Sequence, residues 1–207
     1  MFQIGRYQAR SSVTSMANIP VKKFSQILAT HPIILLSSRS GRSNSISPLT
    51  RYLPLSDDPP LIGISLKPSS SSYHYIRESG DFILAVPNKT HLKVVHFCGV
   101  HTGRDTDKVF HSNLPTSRAK SVSPLLLTSC MANIECKVRD IFRSGNRPFI
   151  CGEILTITAD SYYYDQDWLP TADLIYYNGG NTYRMRDKII DMSPIRPGYI
   201  PPGTVIG

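Results

Sequence analysis

Two segments of this chain hold residue types at spacings suited to chemistry. Pro68–Phe82, PSSSSYHYIRESGDF, runs from a string of hydroxyls into a short helical pattern. Gly103–Phe110, GRDTDKVF, sets Arg104 and Lys108 four residues apart, on one face if that segment is helical. Hydroxyls, the N–H groups at a helix start and nearby cations are what a phosphate-bearing ligand needs. Each feature also has a plainer role. A serine before a helix serves as an N-cap, and Arg104 and Lys108 beside Asp105 and Asp107 form an ordinary solvated face.

The chain has 207 residues, the size of one domain that buries roughly 70% of its unfolded surface. With 41% hydrophobic and 18% charged residues it has the composition of a water-soluble globular protein. Its longest apolar run, Pro32-Ile-Ile-Leu-Leu36, is a buried strand, far short of the roughly 20 residues of a membrane helix. The four cysteines, at 98, 130, 136 and 151, form no C-x-x-C pair and are too few for a disulfide framework. They are expected as buried thiols in a cytoplasmic protein. His96, Cys98 and His101 match no compact ligand spacing, so no metal site is expected. The formal charge of +8 raises nucleic acid as a partner, but the bases are spread along the chain without interleaved aromatics. Basic character suits an anionic small ligand equally well.

Positioning falls mainly to strands. Residues 1–17 carry Arg6 and Arg10 without an acid and are expected as a disordered arm, with Met16 as an alternative start. His31–Ser38 is a first strand, Ser40–Pro60 a polar loop, Leu61–Leu66 a further strand, and Tyr73–Ser79 a short helix ended by Gly80. Asp81–Val86 is the next strand, and Lys89–Cys98 is helical with Leu92, Val95 and Cys98 inward and Gly99 closing it. The clearest strand is Ala132–Arg139, with Ala132, Ile134, Cys136 and Val138 on one face and Asn133, Glu135, Lys137 and Arg139 on the other. Ser144–Pro148 turns the chain into a hairpin partner, Phe149–Thr158, and Leu174–Tyr177 is a last short strand. The pattern is mainly β, an antiparallel barrel with short helices. One domain over 18–190 is expected, followed by a Pro/Gly-rich tail over 191–207.

The ordered blocks SNSISPLT, LSDDPPLIGISL, SSYHYIRESGDFILAVP, CGVHTGRDTDKVF, ANIECKV, ICGEI and YYNGGNTYR resemble the flavin reductase-like family of FMN-binding split barrels, close to its flavoredoxin branch. The resemblance runs from about Val21 to Arg184. It implies a Greek-key split barrel, a homodimer, and FMN held near the subunit interface. Asn44, Ser45, Ile46, Ser47 and Pro48 match the loop along the isoalloxazine, whose backbone N–H groups serve the ring edge that gains negative charge on reduction. Thr50 stands where relatives often carry an aromatic residue. Ser71 and Ser72 match the hydroxyl position at the phosphate, Lys108 matches the phosphate lysine, and Arg104 lies beside it.

Relatives that use NAD(P)H often show Gly-Asp-His in the turn before the last long strand. Here the residues are Gly145, Asn146 and Arg147. Arg147 either replaces the histidine as a cation for a phosphate or for the flavin, or is one more surface arginine. Tyr176, Tyr177, Asn178 and Tyr183 resemble the segment that closes over the flavin, Tyr177 being the expected contact; interface packing is the plainer role. The family implies an FMN-dependent oxidoreductase taking hydride from NAD(P)H and passing electrons to a small-molecule or protein acceptor. An FMN electron carrier with little nicotinamide turnover, and a flavin-dependent biosynthetic enzyme on the same scaffold, stay open.

Overall fold

The structure, a computed structural model, describes residues 18–28, 31–103, 106–179 and 181–185. The N-terminal arm expected over 1–17 and the tail expected over 191–207 lie outside the described residues.

The short helix α1 (Phe24–Ile27) precedes two hairpins, β1 (Ile34–Ser40) with β2 (Ser43–Leu49) and β3 (Tyr52–Asp57) with β4 (Pro60–Ser65). The stretch Ser40–Pro60, expected as a polar loop, therefore holds two strands, whose polar residues pair through their backbone with the apolar strands β1 and β4. Helix α2 (Ser71–Ser79) leads into β5 (Asp81–Val86), followed by α3 (Leu92–Val100), α4 (Lys108–Ser112), β6 (Thr116–Arg118) and β7 (Leu125–Leu127). The long hairpin of β8 (Ala132–Ser144) and β9 (Arg147–Ala159) turns at Gly145, whose φ of 58° suits glycine. The small pairs β10 (Tyr164–Asp165) with β11 (Asp167–Trp168), and β12 (Ile175–Gly179) with β13 (Thr182–Met185), follow. None of these helices is long and apolar enough to cross a membrane.

Seven strands form one antiparallel sheet in the order β2-β1-β5-β8-β9-β4-β3. A flat sheet of seven strands would hold its edges roughly 29 Å apart. Yet β2 ends at Leu49 and β3 begins at Tyr52, a link that reaches roughly 11 Å at most. The sheet therefore curls until its edges face each other without pairing, which is a split barrel. The α2-containing connection joins β4 to β5, which are separated in the sheet by β9 and β8, and α2 packs on β1 and β2.

Both faces of β1 and β5 are covered, which is why Ile33–Leu36 is a continuous apolar run. Leu36, Leu84, Phe82, Cys136 and Ile150 meet inside the barrel, with Ile76 of α2 among them. Leu35, Ile46 and Ala85 face outward and are covered by Val95 and Cys98 of α3 and by Leu127. On β8 the expected inward face holds at Ala132, Ile134, Cys136 and Val138. A bulge between Val138 and Asp140 then changes parity and turns Ile141 inward, so the strand continues past Arg139 to Ser144. Two residues of the opposite face are buried rather than solvated. Asn133 exchanges hydrogen bonds with both backbone groups of Leu127, and the Glu135 carboxylate accepts the N–H groups of Lys120 and Ser121.

Gly152 of β9 lies against Phe82, which is fully buried. A Cβ there would stand 2.5 Å from Phe82 Cζ. Gly152→Ala is expected to lower stability by roughly 1–3 kcal/mol through overpacking. The check is the urea midpoint at unchanged m-value; a midpoint equal to that of the parent chain would contradict it.

Candidate functional site

A groove of about 740 Å³ runs along the outer edge of β2. Its floor is Ser45, Ser47, Pro48 and Thr50, one wall is the start of α2, and the other is the end of α3 with the loop to Gly103 and Lys108. Because β2 pairs only with β1, every second backbone N–H and C=O of this strand faces away from the sheet.

Helix α2 starts two residues earlier than the sequence suggested. Ser70 is the N-cap, its hydroxyl oxygen accepting from the Tyr73 N–H at 3.3 Å, and Ser71 and Ser72 are the first two helical residues. Gly80, at φ 75°, ends the helix as expected. The serine run thus places Ser72 inside the first turn, 1% exposed, with its hydroxyl 3.0 Å from that of Ser47 and 3.4 Å from that of Ser45. Three hydroxyls sharing two contacts leave one O–H without an acceptor in the cluster. Gly103 closes over them: a Cβ there would meet Ser45 Oγ at 3.1 Å and Ser71 Oγ at 3.2 Å.

Lys108 is the first residue of α4, whose N-cap Asp107 accepts from the Phe110 N–H. Its side chain turns inward to 5% exposure, and Nζ donates to the Cys98 carbonyl at 2.7 Å. Burial lowers the lysine pKa from its ordinary value; Cys98 acts weakly in the opposite sense. The Cys98 thiol is pushed up to about 11 by burial, against a smaller pull from Lys108. Helix α3 continues through Gly99 to Val100, and His101 is its C-cap. Gly99 does not close the helix; it lets α3 pack on β2, since a Cβ there would lie 3.3 Å from Pro48 Cγ.

Among the sequence-selected residues, Ser45, Ser47, Pro48, Thr50, Ser71, Ser72, Lys108 and Arg147 line the one groove. Arg147, at the start of β9, has its pKa lowered first by burial and then by the neighbouring Arg51. Ile46 points the other way, fully buried beneath α3. The side chain of Asn44 donates to the Arg42 carbonyl, and its buried Oδ1 has no partner in the structure. Tyr177 lies apart from the groove, in two adjoining cavities that share Thr50 with it. Arg104 is outside the described residues. Sequence reasoning missed Arg51 and Lys67, both in the lining. Each directly flanks a selected segment, and counting cations beside those segments would have found them. No Asp or Glu among the described residues lines the groove.

His96 and His101 make contacts with their own neighbours. His96 Nδ1 lies 3.0 Å from the Tyr183 hydroxyl, and His101 Nδ1 lies 3.0 Å from the Phe97 carbonyl oxygen. Among the described residues no group of three His, Cys, Asp or Glu side chains could hold a metal ion.

A split barrel with a cationic, hydroxyl-lined groove at its open edge defines a class, and comparison gives the family. A profile of the flavin reductase like domain matches residues 28–183, so the chain belongs to the flavin reductase-like family. An uncharacterized protein of Archaeoglobus fulgidus is 32% identical over 113 residues, which is 55% of this chain and 64% of that protein's own length. Flavoredoxin from Methanosarcina acetivorans superposes with a TM-score of 0.71 at 20% identity, over 78% of this chain and 88% of that one. The FMN-binding protein from Thermus thermophilus, solved with 1-cyclohex-2-enone, gives 0.72 at 20% identity, over 87% and 100%. Both likenesses bear on the fold alone.

All four cysteines are unpaired and buried. Burial pushes Cys130 and Cys136 up to about 12 as well as raising Cys98. At pH 8 the folded protein is expected to leave all four thiols unmodified by a thiol-specific disulfide reagent, and denatured protein to release four equivalents. Rapid labelling of a thiol in the folded state would contradict the burial.

Proposed function

We propose that this chain is an FMN-binding flavoprotein oxidoreductase, with the FMN phosphate held in the groove by Ser72, the first turn of α2 and Lys108. The observation that carries the reading is a buried ammonium and a buried hydroxyl cluster in one groove whose described lining holds no carboxylate. The residues fit the group. A phosphate needs O–H and N–H donors with compensating positive charge. The serine cluster has a donor to spare, Lys108 has used one of its three N–H donors, and Gly103 leaves space beside the hydroxyls. The ring end of the cofactor belongs to Asn44–Pro48, where the unpaired edge of β2 offers backbone N–H groups.

FMN, when bound, supplies hydride and single-electron transfer. The chain's part is to bind, orient and tune. Edge N–H groups favour the charge that accumulates on reduction, and Arg147 adds a cation at the groove. NAD(P)H is the proposed electron donor and a small molecule or protein the acceptor. The proposed assembly is a homodimer, for which the exposed Leu155 and Ile157 of β9 offer apolar surface. Unpaired cysteines suit a cytoplasmic setting. A second reading, an electron carrier with little nicotinamide turnover, is favoured by Arg147 standing in the Gly145-Asn146-Arg147 turn. Anaerobic titration of the FMN-loaded protein separates the two: bleaching by NADH or NADPH supports the reductase, and a persistent yellow colour supports the carrier.

FMN titration followed by flavin fluorescence tests the cofactor itself. Lys108→Met is expected to weaken binding roughly 10- to 100-fold, the worth of one charge-assisted hydrogen bond. Absence of saturable FMN binding by the parent chain would sink the proposal. The pH dependence has a definite sign. Burial holds the Lys108 pKa below 10.5, so above that lowered pKa the empty site is neutral and must take up a proton to pair with phosphate. FMN affinity is therefore expected to fall as pH rises through the lowered pKa, and to lose this dependence in Lys108→Met. Stability without FMN moves the other way. Across the window between the lowered pKa and 10.5 the unfolded chain binds more protons, so stability from this group rises with pH.

A further inference from the structure

At Thr50, Arg51 and Ser65 the groove meets a second cavity of about 380 Å³. Its walls include the rings of Tyr52, Phe149, Tyr177 and Phe24 of α1, together with His31. Gly63 seats the Phe149 ring in the wall: a Cβ there would come within 2.2 Å of Phe149 Cζ, so the ring lies directly over the glycine. A chamber of this size and character suits a ligand of one or two rings.

The polar groups of the chamber narrow the class. The Tyr52 hydroxyl donates to the Pro32 carbonyl at 2.8 Å, and burial pushes its pKa up to about 12, so it stays neutral. The Asn178 amide donates to Thr182 and its oxygen accepts from Arg184. No Asp or Glu among the described residues lines the cavity. Arg51 lies at the junction, its guanidinium carbon 5.8 Å from the centre of the Phe24 ring and close enough to Arg147 to perturb it. The ion pairs among the described residues are Lys89–Asp173 and Arg139–Glu153, and neither Arg51 nor Arg147 takes part. Two neighbouring guanidinium groups without a carboxylate repel each other, and an anion between them relieves the repulsion. With Ser72 and Lys108 assigned to the FMN phosphate, an anion at Arg51, the one arginine of the pair that lines the chamber, is a second one.

We infer that the aromatic chamber binds a small aromatic carboxylic acid, its ring among Tyr52, Phe149 and Tyr177 and its carboxylate on Arg51. The inference deepens the oxidoreductase reading and rests on it, since an aromatic acid there adjoins the FMN groove and belongs to the substrate class of the same site.

Benzoate and its neutral isostere benzamide test this by isothermal titration calorimetry on the full chain, with and without FMN. Benzoate is expected to bind at least about tenfold more tightly than benzamide, the margin of a charge-assisted bidentate contact. Arg51→Met removes that preference while leaving benzamide affinity within about twofold, and Arg51→Lys, which keeps the charge but loses the planar fork, retains part of it. Phe149→Ala weakens both ligands together. Equal affinity of the parent chain for benzoate and benzamide, or a preference that survives Arg51→Met, overturns the inference. Failure of FMN to bind, with the benzoate preference intact, sinks the cofactor reading and not the chamber. Failure of benzoate with FMN bound sinks the chamber alone.

Discussion

The ammonium of Lys108, nearly out of water with the Cys98 carbonyl as its acceptor, sets the terms for everything around it. Burying a charge is costly unless it is met by opposite charge or hydrogen bonds. Cys98 supplies one of the last four carbonyls of α3, groups that have no partner within their own helix and carry the negative end of its dipole. Lys108 therefore caps α3 from outside and ties the first turn of α4 to it. Nζ gives one of its three donors to that carbonyl, and Lys108 stands in the lining of the groove, where the proposed phosphate would meet the others.

That wall has a counterpart made of small side chains. Ser45, Ser47 and Ser72 bring α2 onto β2 through hydroxyl contacts, while Gly99 and Gly103 let the end of α3 and its loop approach the same strand. A larger residue at any of these positions would fill the groove or push its walls apart. The barrel explains why the groove lies here. Curling brings β2 and β3 face to face without pairing them, so backbone donors stay unused along β2, and Thr50 and Arg51 bridge the gap. The site is where the sheet's own hydrogen bonding stops.

Elements whose pattern is local were legible in the sequence. The β5 strand falls on Asp81–Val86 as expected, and Gly80 stops α2 because its left-handed conformation suits glycine. Errors arose where a distant partner overrides local pattern. Ser71 and Ser72 look like residues preceding a helix, but Ser70 takes the capping role and frees them to enter it. Alternation puts Glu135 on the face opposite the barrel interior without showing that the Lys120–Ser121 backbone buries it there. The continuation of β8 was hidden because one bulged residue reverses inward and outward, which no period-2 reading survives. Within the site, Ser72 and Lys108 stood out through their motifs. Arg51 did not, because its importance comes from Arg147, nearly a hundred residues later in the chain and brought near by the β4–β9 pairing.

The same long-range placement bears on what the basic charge is for. A surface that binds nucleic acid spreads its cations along an exposed face to follow a chain of phosphates. Here Arg51, Lys67, Lys108 and Arg147 converge on one concave groove, with Lys108 buried. Converging cations raise each other's energy, and a compact anion between them would relieve it. The geometry thus favours a small, multiply charged ligand over a polymer. Lys108 in the wall beside the serine cluster and the arginine pair at the far end are separate positive centres, which suits the two anionic groups proposed for the site.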